Sequence, residues 1–440
     1  MAGPVASAPY SPNGGSGPVG LDYRPALTLL TSLFFMVGFI TVLNDVLVPH
    51  LKAVFDLDYT RSMLIQFVWY FAYFVVSLPS AKFLEKWGYK RSMVVGLLVM
   101  AAGALSLMPS SQLVSFPLFL TSLFVLGSGV TLLQVAANPY VAVIGPPNTA
   151  PARLNLVQAF NSVGTMIAPV FGSMLILGRS TSGNSAGGAA TLTQAQRLAD
   201  AQSVQAPYVG IVLVLVLLAV IIGRFKLPAL GAASQRASKE ARRGHSLWRH
   251  RNLVFGVPAI FIYMIAEIGV GSLLISFISR PEIGNLTSKQ AGFYLTLLWG
   301  GMMVGRFIGS ALMRRIEAET ILAIVSIGAF VLVMMAVFTT GHLALWSLVL
   351  VGLFHSIMFP TIFTLGIRGL GPLTEEGSGL LIMAIAGGAL ATGQGWIADH
   401  YGLQISFLVP AACEAYTLFY ALWGCKPGKA ANAATAPAAG

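Results

Sequence analysis

Charge is scarce in this sequence. Of 440 residues, 15 are Asp or Glu and 26 are Lys or Arg, so charged side chains make up 9% of the chain against 56% hydrophobic ones. A soluble protein of this length needs a more polar outer layer, which excludes an ordinary globular domain. Cysteine is nearly absent. Cys413 and Cys425 stand twelve residues apart on one predicted helix, about 18 Å, too far for a disulfide. There is no HExxH string and no Cys/His cluster, so the ligand spacing of a zinc hydrolase is missing. A GxSxG string, Gly183-Asn184-Ser185-Ala186-Gly187, lacks the flanking strand and helix of a nucleophile elbow and reads as a chance match. The two-residue alternation of barrel strands is missing as well. The stretch from Met1 to Tyr23 has neither the basic nor the apolar region of a signal peptide.

Long apolar runs are present in number, and mean hydropathy is +0.78. Twelve can be marked, here called spans 1 to 12: 26–49, 61–81, 92–110, 114–144, 154–178, 206–225, 252–278, 289–313, 320–339, 343–367, 377–398 and 403–424. A bilayer-spanning helix takes roughly 20 apolar residues, and its backbone groups must bond within the segment. The expected fold is therefore an all-α membrane protein of twelve transmembrane helices in two six-helix bundles, 25–225 and 252–425. A basic cytoplasmic linker, 226–251, separates them, and termini read as disordered, 1–24 and 426–440, flank them. Placing both termini in the cytoplasm puts 19 Lys and Arg on that side: Arg24, four in 82–91, Arg153, eight in 224–251, Arg314, Arg315, Arg368, Lys426 and Lys429. Six lie opposite, and Arg306 falls inside a helix. This asymmetry follows the positive-inside rule. It accounts for the net charge of +11 through anionic headgroups, without nucleic acid.

Three carboxyls fall inside spans: Asp45, Glu267 and Glu414. Each costs roughly 2.5–3.5 kcal/mol at a bilayer centre and is a functional candidate for that reason. Asp45 follows Asn44, with Thr41 a turn before and Pro49 a turn after. Desolvation disfavours the charged form of a carboxyl, so a group placed there can load a proton on one side and release it on the other. Gln134 and Asn138 are four apart on span 4 and share one helix face. Span 5 carries Asn155, Gln158, Asn161, Ser162 and Thr165 at helical spacing. Amides donate and accept, which suits a ligand made of neutral hydroxyls; interhelical bonding is the competing explanation. In the second half, Glu267 follows Tyr263 by four, and Trp299 on span 8 offers either packing or a flat face for a sugar ring. Gly301, Gly305 and Gly309 read as close helix packing. His355 reads as hydrogen-bonded core, and Glu414 has no partner discernible in the sequence.

The segment AKFLEKWGYKR, Ala81 to Arg91, resembles the loop signature of the major facilitator superfamily between spans 2 and 3, with Glu85 where Asp is usual. Gly305 to Gly309 followed by Arg314-Arg315 resembles its second-half relative. More specific strings are similar to the fucose permease-like family of sugar:proton symporters and its glucose/galactose branch: LNDVLVP from Leu43, QVAANPYVAVIGPP from Gln134, RLNLVQAFNSVGT from Arg153 and GLFHSIMFPTIFTLGI from Gly352. The resemblance implies the major facilitator fold, with two bundles rocking about a midplane sugar site. It implies that Asp45 takes the coupling proton and that Gln158 and Asn161 contact sugar. Gln134 stands where fucose permease has a second protonatable Glu, which argues against fucose. His355 stands where Asn is expected.

The function expected on these grounds is import of a hexose, glucose or galactose, by proton symport across the bacterial inner membrane. Asn44, Gln134, Asn138, Gln158, Asn161, Glu267 and Trp299 are the expected sugar contacts. Glu85, Lys86, Gly88, Arg91 and Arg306 are expected to latch one conformation. No cofactor is expected beyond the co-transported proton, and no partner beyond the sugar and the bilayer; the chain is read as a monomer. Sodium coupling at Asp45 is the nearest rival, with Asn44 and carbonyls near Pro49 as ligands. A membrane enzyme lacks its constellation, and a non-transporting sugar sensor lacks an added signalling domain.

Overall fold

The computed structural model describes residues 23–55, 59–113, 115–172, 205–227 and 246–426; within them, the side chains of 43–55, 59–63, 66, 111–112, 169–172, 205–207 and 288–289 are not described. The Gly183–Gly187 string, most of the basic linker and both expected disordered termini lie outside these residues. The described chain is helical, without strands.

Nine stretches among the described residues are long and apolar enough to cross a bilayer. One of them, Phe67–Ser110, spans 44 residues and covers spans 2 and 3 together. Ala150–Gly172 and the shorter Tyr208–Arg224 supply spans 5 and 6, which completes twelve. Spans 2 and 3 form one helical run, Tyr59–Gln112, turned at Gly88 (φ 79°, ψ 167°), a backbone region essentially reserved for glycine. Span 10 divides into Gly341–His355 and Met358–Ile367. Pro360 falls in the first turn of the second piece, where its missing N–H is not needed. Span 11 runs through a tightened central turn, Ala384–Leu390, between Thr374–Met383 and Ala391–Tyr401. Large apolar side chains such as Phe67, Phe74, Leu213, Ile324 and Phe338 are exposed, as the lipid-facing surface of a bundle requires.

The two halves solve one capping problem with different residues. Span 4 ends at Val143, leaving orphan carbonyls. Arg153 turns back to them, donating to the carbonyls of Val141 (3.2 Å), Ala142 (2.6 Å) and Pro146 (2.7 Å). Burial lowers its guanidinium to about 10, which leaves it cationic at neutral pH. In the second half, Asn252 donates to the carbonyls of Leu365, Gly366 and Arg368 at the end of span 10, at 2.9–3.0 Å.

The halves meet at the basic end, the side carrying Arg91, Arg153, Arg314 and Arg368. Ser310 Oγ donates to the Ala152 carbonyl (2.8 Å), Ser378 Oγ to the Val135 carbonyl (3.1 Å), and Asn155 Nδ2 to Thr361 Oγ1 (3.2 Å). Tyr89 Oη reaches Glu375 at 3.4 Å. Nearer the midplane, Gly300 lies against Met166, and Gly388 against the ring of Tyr70.

Candidate functional site

Between the bundles runs a seam of amides. Span 5 supplies its spine, fixed because Gly38 and Gly164 let span 1 approach closely: a Cβ on Gly38 would stand 2.2 Å from the Asn161 carbonyl oxygen. Asn161 Nδ2 donates to the Phe34 carbonyl at 2.8 Å. One turn away, Gln158 Nε2 donates to Asn138 Oδ1 at 3.3 Å, joining spans 5 and 4. Asn138 is fully buried, and its Nδ2 has no protein acceptor among the described residues. Gln134 Nε2 donates to Tyr73 Oη at 2.8 Å, so the amide in place of a carboxyl is met by a neutral phenol. Thr165 Oγ1 donates back to the Ser162 carbonyl at 2.8 Å.

Arg306 crosses this seam. Its Nε donates to the Ser356 carbonyl (2.9 Å) in its own half. Its Nη1 donates to the Gln158 carbonyl (3.1 Å) and to Ser162 Oγ in the other. The Ser356 carbonyl is available because span 10 breaks there. Arg306 is buried, so a guanidinium whose donors fan out in a plane is what the three oxygens need. Gly301, Gly305 and Gly309 bring span 8 onto span 10, with Gly305 facing Ser356 and the Leu353 carbonyl.

The second half holds a chain of titratable side chains. Tyr263 Oη contacts Glu267 Oε2 and lies 2.9 Å from the His355 carbonyl. The His355 ring meets Tyr263 edge-on at 5.6 Å, and its Nε2 lies 2.7 Å from Glu414 Oε1. Glu414 is fully buried, with its other oxygen lacking a protein donor among the described residues. Sequence reasoning left Glu414 without a partner and His355 in the core; the structure joins them. Trp299 packs on Gly271, where a Cβ would come within 3.1 Å of the indole.

The expected site residues are thus placed unevenly. Asn138, Gln158, Asn161 and Arg306 converge on the seam, Gln134 sits at its Tyr73 side, and Glu267 and Trp299 belong to spans 7 and 8. Asn44 and Asp45 lie on the helix Arg24–Phe55, but their side chains fall outside those described. Of the expected latch, Gly88 makes the turn, while Lys86 and Arg91 lie over the Trp87 ring at 6.0 and 5.6 Å. Glu85 is half-buried in the same loop. Tyr73, Ser356 and Thr361 escaped sequence reasoning because hydroxyls and carbonyls carry no positional signature; Pro360, in the first turn after the break, was the one available hint to Ser356.

The whole arrangement has relatives. The family model of the Major Facilitator Superfamily matches residues 29–393. A protein named glucose/galactose transporter from Brucella abortus biovar 1 (strain 9-941) is 48% identical over 92% of this chain and 95% of its own length. The L-fucose-proton symporter of Escherichia coli (strain K12) is 36% identical over 91% of this chain and 93% of its own. Among solved structures, the transporter FucP in the outward conformation superposes with a TM-score of 0.80 at 35% identity, covering 91% of this chain and 99% of that one. The chain belongs to the Major Facilitator Superfamily of membrane transporters and, within it, to the fucose permease-like family.

Proposed function

We propose that this chain is a sugar transporter that imports a hexose, glucose or galactose, together with a proton. It works by alternating access as a monomer in the bacterial inner membrane, with the basic end and both termini in the cytoplasm. The observation that carries the reading is the amide seam of Gln134, Asn138, Gln158 and Asn161, half-buried to buried, in which Asn138 Nδ2 lacks a protein acceptor among the described residues. Neutral donors and acceptors side by side match the hydroxyls of a neutral sugar. A cation carrier would line the seam with carboxylates, and an anion carrier with Arg and Lys. The names of the relatives from Brucella and Escherichia supply the sugar class and, for the second, the proton.

With the halves joined at the basic end, sugar enters from the opposite side. Protonation of Asp45 removes a charge that would be costly to dehydrate as the outer ends close. The amides, Asn44 and Glu267 take the hydroxyls, and Trp299 supplies an apolar wall. The halves then part at the basic end, where Arg306 lets go of span 5, and sugar and proton leave. A ligand moves such an equilibrium only by its differential affinity for the two states, so coupling requires that proton and sugar together favour closure around the site. The Gly88 turn with Glu85, Lys86 and Arg91 holds the basic end of the first bundle in register while Arg306 and its neighbours latch it to the second.

Uptake by proteoliposomes tests this, with a pH gradient or a sodium gradient imposed separately. Wild type is expected to accumulate labelled glucose or galactose only with the pH gradient, and Asp45→Asn to exchange sugar without accumulating it. Accumulation by Asp45→Asn, or uptake driven by sodium alone, overturns the proton assignment. Absence of any hexose exchange overturns the substrate class.

A further inference from the structure

Arg251 opens span 7 at the basic end, and its side chain has more to give than the protein takes. Nη2 donates to the Trp423 carbonyl at 2.7 Å, while Nε is buried with no acceptor among the described residues. The guanidinium lies over the Trp423 ring, so the ends of spans 7 and 12 meet here. Trp248, on the turn Leu247–Arg249 just before span 7, is 80% exposed. An indole left that bare is unfavourable in water and favoured at the headgroup level of a bilayer. Arg249 beside it and Lys426 just past Trp423 are both exposed.

Below this corner the two helices present one apolar track. Phe255 and Ile262 lie four and eleven residues on from Arg251, and Phe419 and Tyr416 four and seven back from Trp423. Both spacings keep to one side of a helix. The rings of Phe255, Phe419 and Trp423 meet at 5.2–5.6 Å, and Tyr416 follows Phe419 at 5.6 Å. Tyr416 and Ile262 then line a hollow of about 570 Å³ that runs on between spans 7, 11 and 12 past Val409. From Arg251 to Ile262 is about 16 Å of helix, against about 15 Å for half the hydrocarbon core of a bilayer. A charged corner above an apolar track one leaflet deep has the proportions of a lipid.

We infer that this valley between spans 7 and 12 holds one anionic phospholipid of the leaflet at the basic end. Its phosphate takes hydrogen bonds from Arg251 and from the exposed Arg249 and Trp248. One acyl chain lies along Phe255, Phe419 and Tyr416 with its end in the hollow. The sign of the corner selects the headgroup. Arg249, Arg251 and Lys426 are cationic, and Glu319, the carboxyl within reach of Lys426, is already paired with Arg368 at 3.2 Å. The linker leading to span 7 carries Arg236, Lys239, Arg242 and Arg243 against Glu240, so its net charge has the same sign and offers the corner no counterpart. A soluble anion would meet the charges but leave the aromatic track and the hollow bare. Bound there, the lipid ties the ends of spans 7 and 12 into the leaflet and fixes the point where the linker enters the second bundle.

Native mass spectrometry of the full chain, stripped of lipid in detergent, tests this with dioleoyl phosphatidylglycerol and the zwitterionic dioleoyl phosphatidylcholine as probes. One phosphatidylglycerol is expected to stay bound under conditions that remove phosphatidylcholine. Arg249→Gln combined with Arg251→Gln is expected to weaken it about 25-fold, at about fivefold for each basic residue near the surface. Trp248→Ala, on an exposed turn where folding is not at stake, is expected to weaken it as well. So is Ile262→Trp, which fills the hollow and leaves every charge in place. Arg314→Gln combined with Arg315→Gln removes the same charge from another loop of the basic end and is expected to leave the lipid bound. An equal loss in that control pair would make the attraction diffuse and overturn the site. Binding unmoved by Ile262→Trp, equal retention of phosphatidylcholine, or displacement by excess inorganic phosphate would overturn it too. No sugar or gradient is used, so the result stands apart from the uptake assay.

Discussion

Asn138 spends its side-chain oxygen on Gln158 and keeps its amide N–H groups without a protein acceptor among the described residues. An unmet buried donor costs about 1–3 kcal/mol, and Asn138→Leu exchanges one for another: it removes the unmet Nδ2 but takes the Oδ1 acceptor from Gln158 Nε2. Asn138→Leu is therefore expected to raise the half-saturation concentration for sugar about tenfold or more, the loss of one good hydrogen bond, while the melting temperature changes little. A melting temperature that falls with transport intact would make Asn138 a packing residue instead. Arg306 makes the opposite case. Lysine keeps the charge but not the planar fork. Arg306→Lys is expected to slow uptake by roughly tenfold to a hundredfold, through the loss of charged hydrogen bonds worth about 1.5–3 kcal/mol each. Initial rates at saturating sugar check this. Of these residues, the amides were legible because their spacing puts them on shared faces. The His355–Glu414 pair was not: 59 residues separate its members, and helical periodicity says nothing about which helices adjoin. The only signal was that a carboxyl in so dry a place needs a partner.

At the scale of elements, twelve apolar runs translated into twelve spans because lipid leaves the backbone no alternative to helix. Breaks within them were harder to read. Spans 2 and 3 were expected as separate segments around a charged loop, yet helix runs through that loop and turns only at Gly88. The reason is local: the residues before Gly88 are good helix formers, and charge at a membrane surface does not unwind a helix. The breaks at Ser356 in span 10 and across Ala384–Leu390 in span 11 vanish in any average of hydropathy, since His355 and Ser356 are two polar residues among apolar neighbours and Ala384–Leu390 has none. Gly88→Ala is expected to destabilise the first bundle by about 1–3 kcal/mol, the cost of a non-glycine residue in that backbone region. Thermal unfolding in detergent checks it, and an unchanged midpoint would mean the turn relaxes into an ordinary helical link. The stripe at Gly301, Gly305 and Gly309 carried its meaning openly, and its partner is span 10.

For the whole molecule, the bias of Lys and Arg to one side and the bonding of the halves at that same side belong to one account of transport. If parting at the basic end is required, a bond placed there stops the cycle. Gly379 faces Ala81 across the seam, where an added Cβ would stand 2.7 Å from the alanine's, so the two helices need part by only about 1 Å to reach the spacing of disulfide-linked Cβ atoms. Ala81→Cys combined with Gly379→Cys is expected to lose uptake on oxidation and regain it on reduction, while each single variant is unaffected by either treatment. Full uptake by the oxidised, cross-linked protein would contradict alternating access through that end. The coupling itself is tested most directly by sugar-driven proton movement. Vesicles containing the protein, with no pH or sodium gradient and a pH dye inside, receive galactose or glucose from outside. The account predicts acidification of the lumen in step with sugar entry, abolished by a protonophore and absent in Asp45→Asn; entry of sugar at an unchanged internal pH would contradict it.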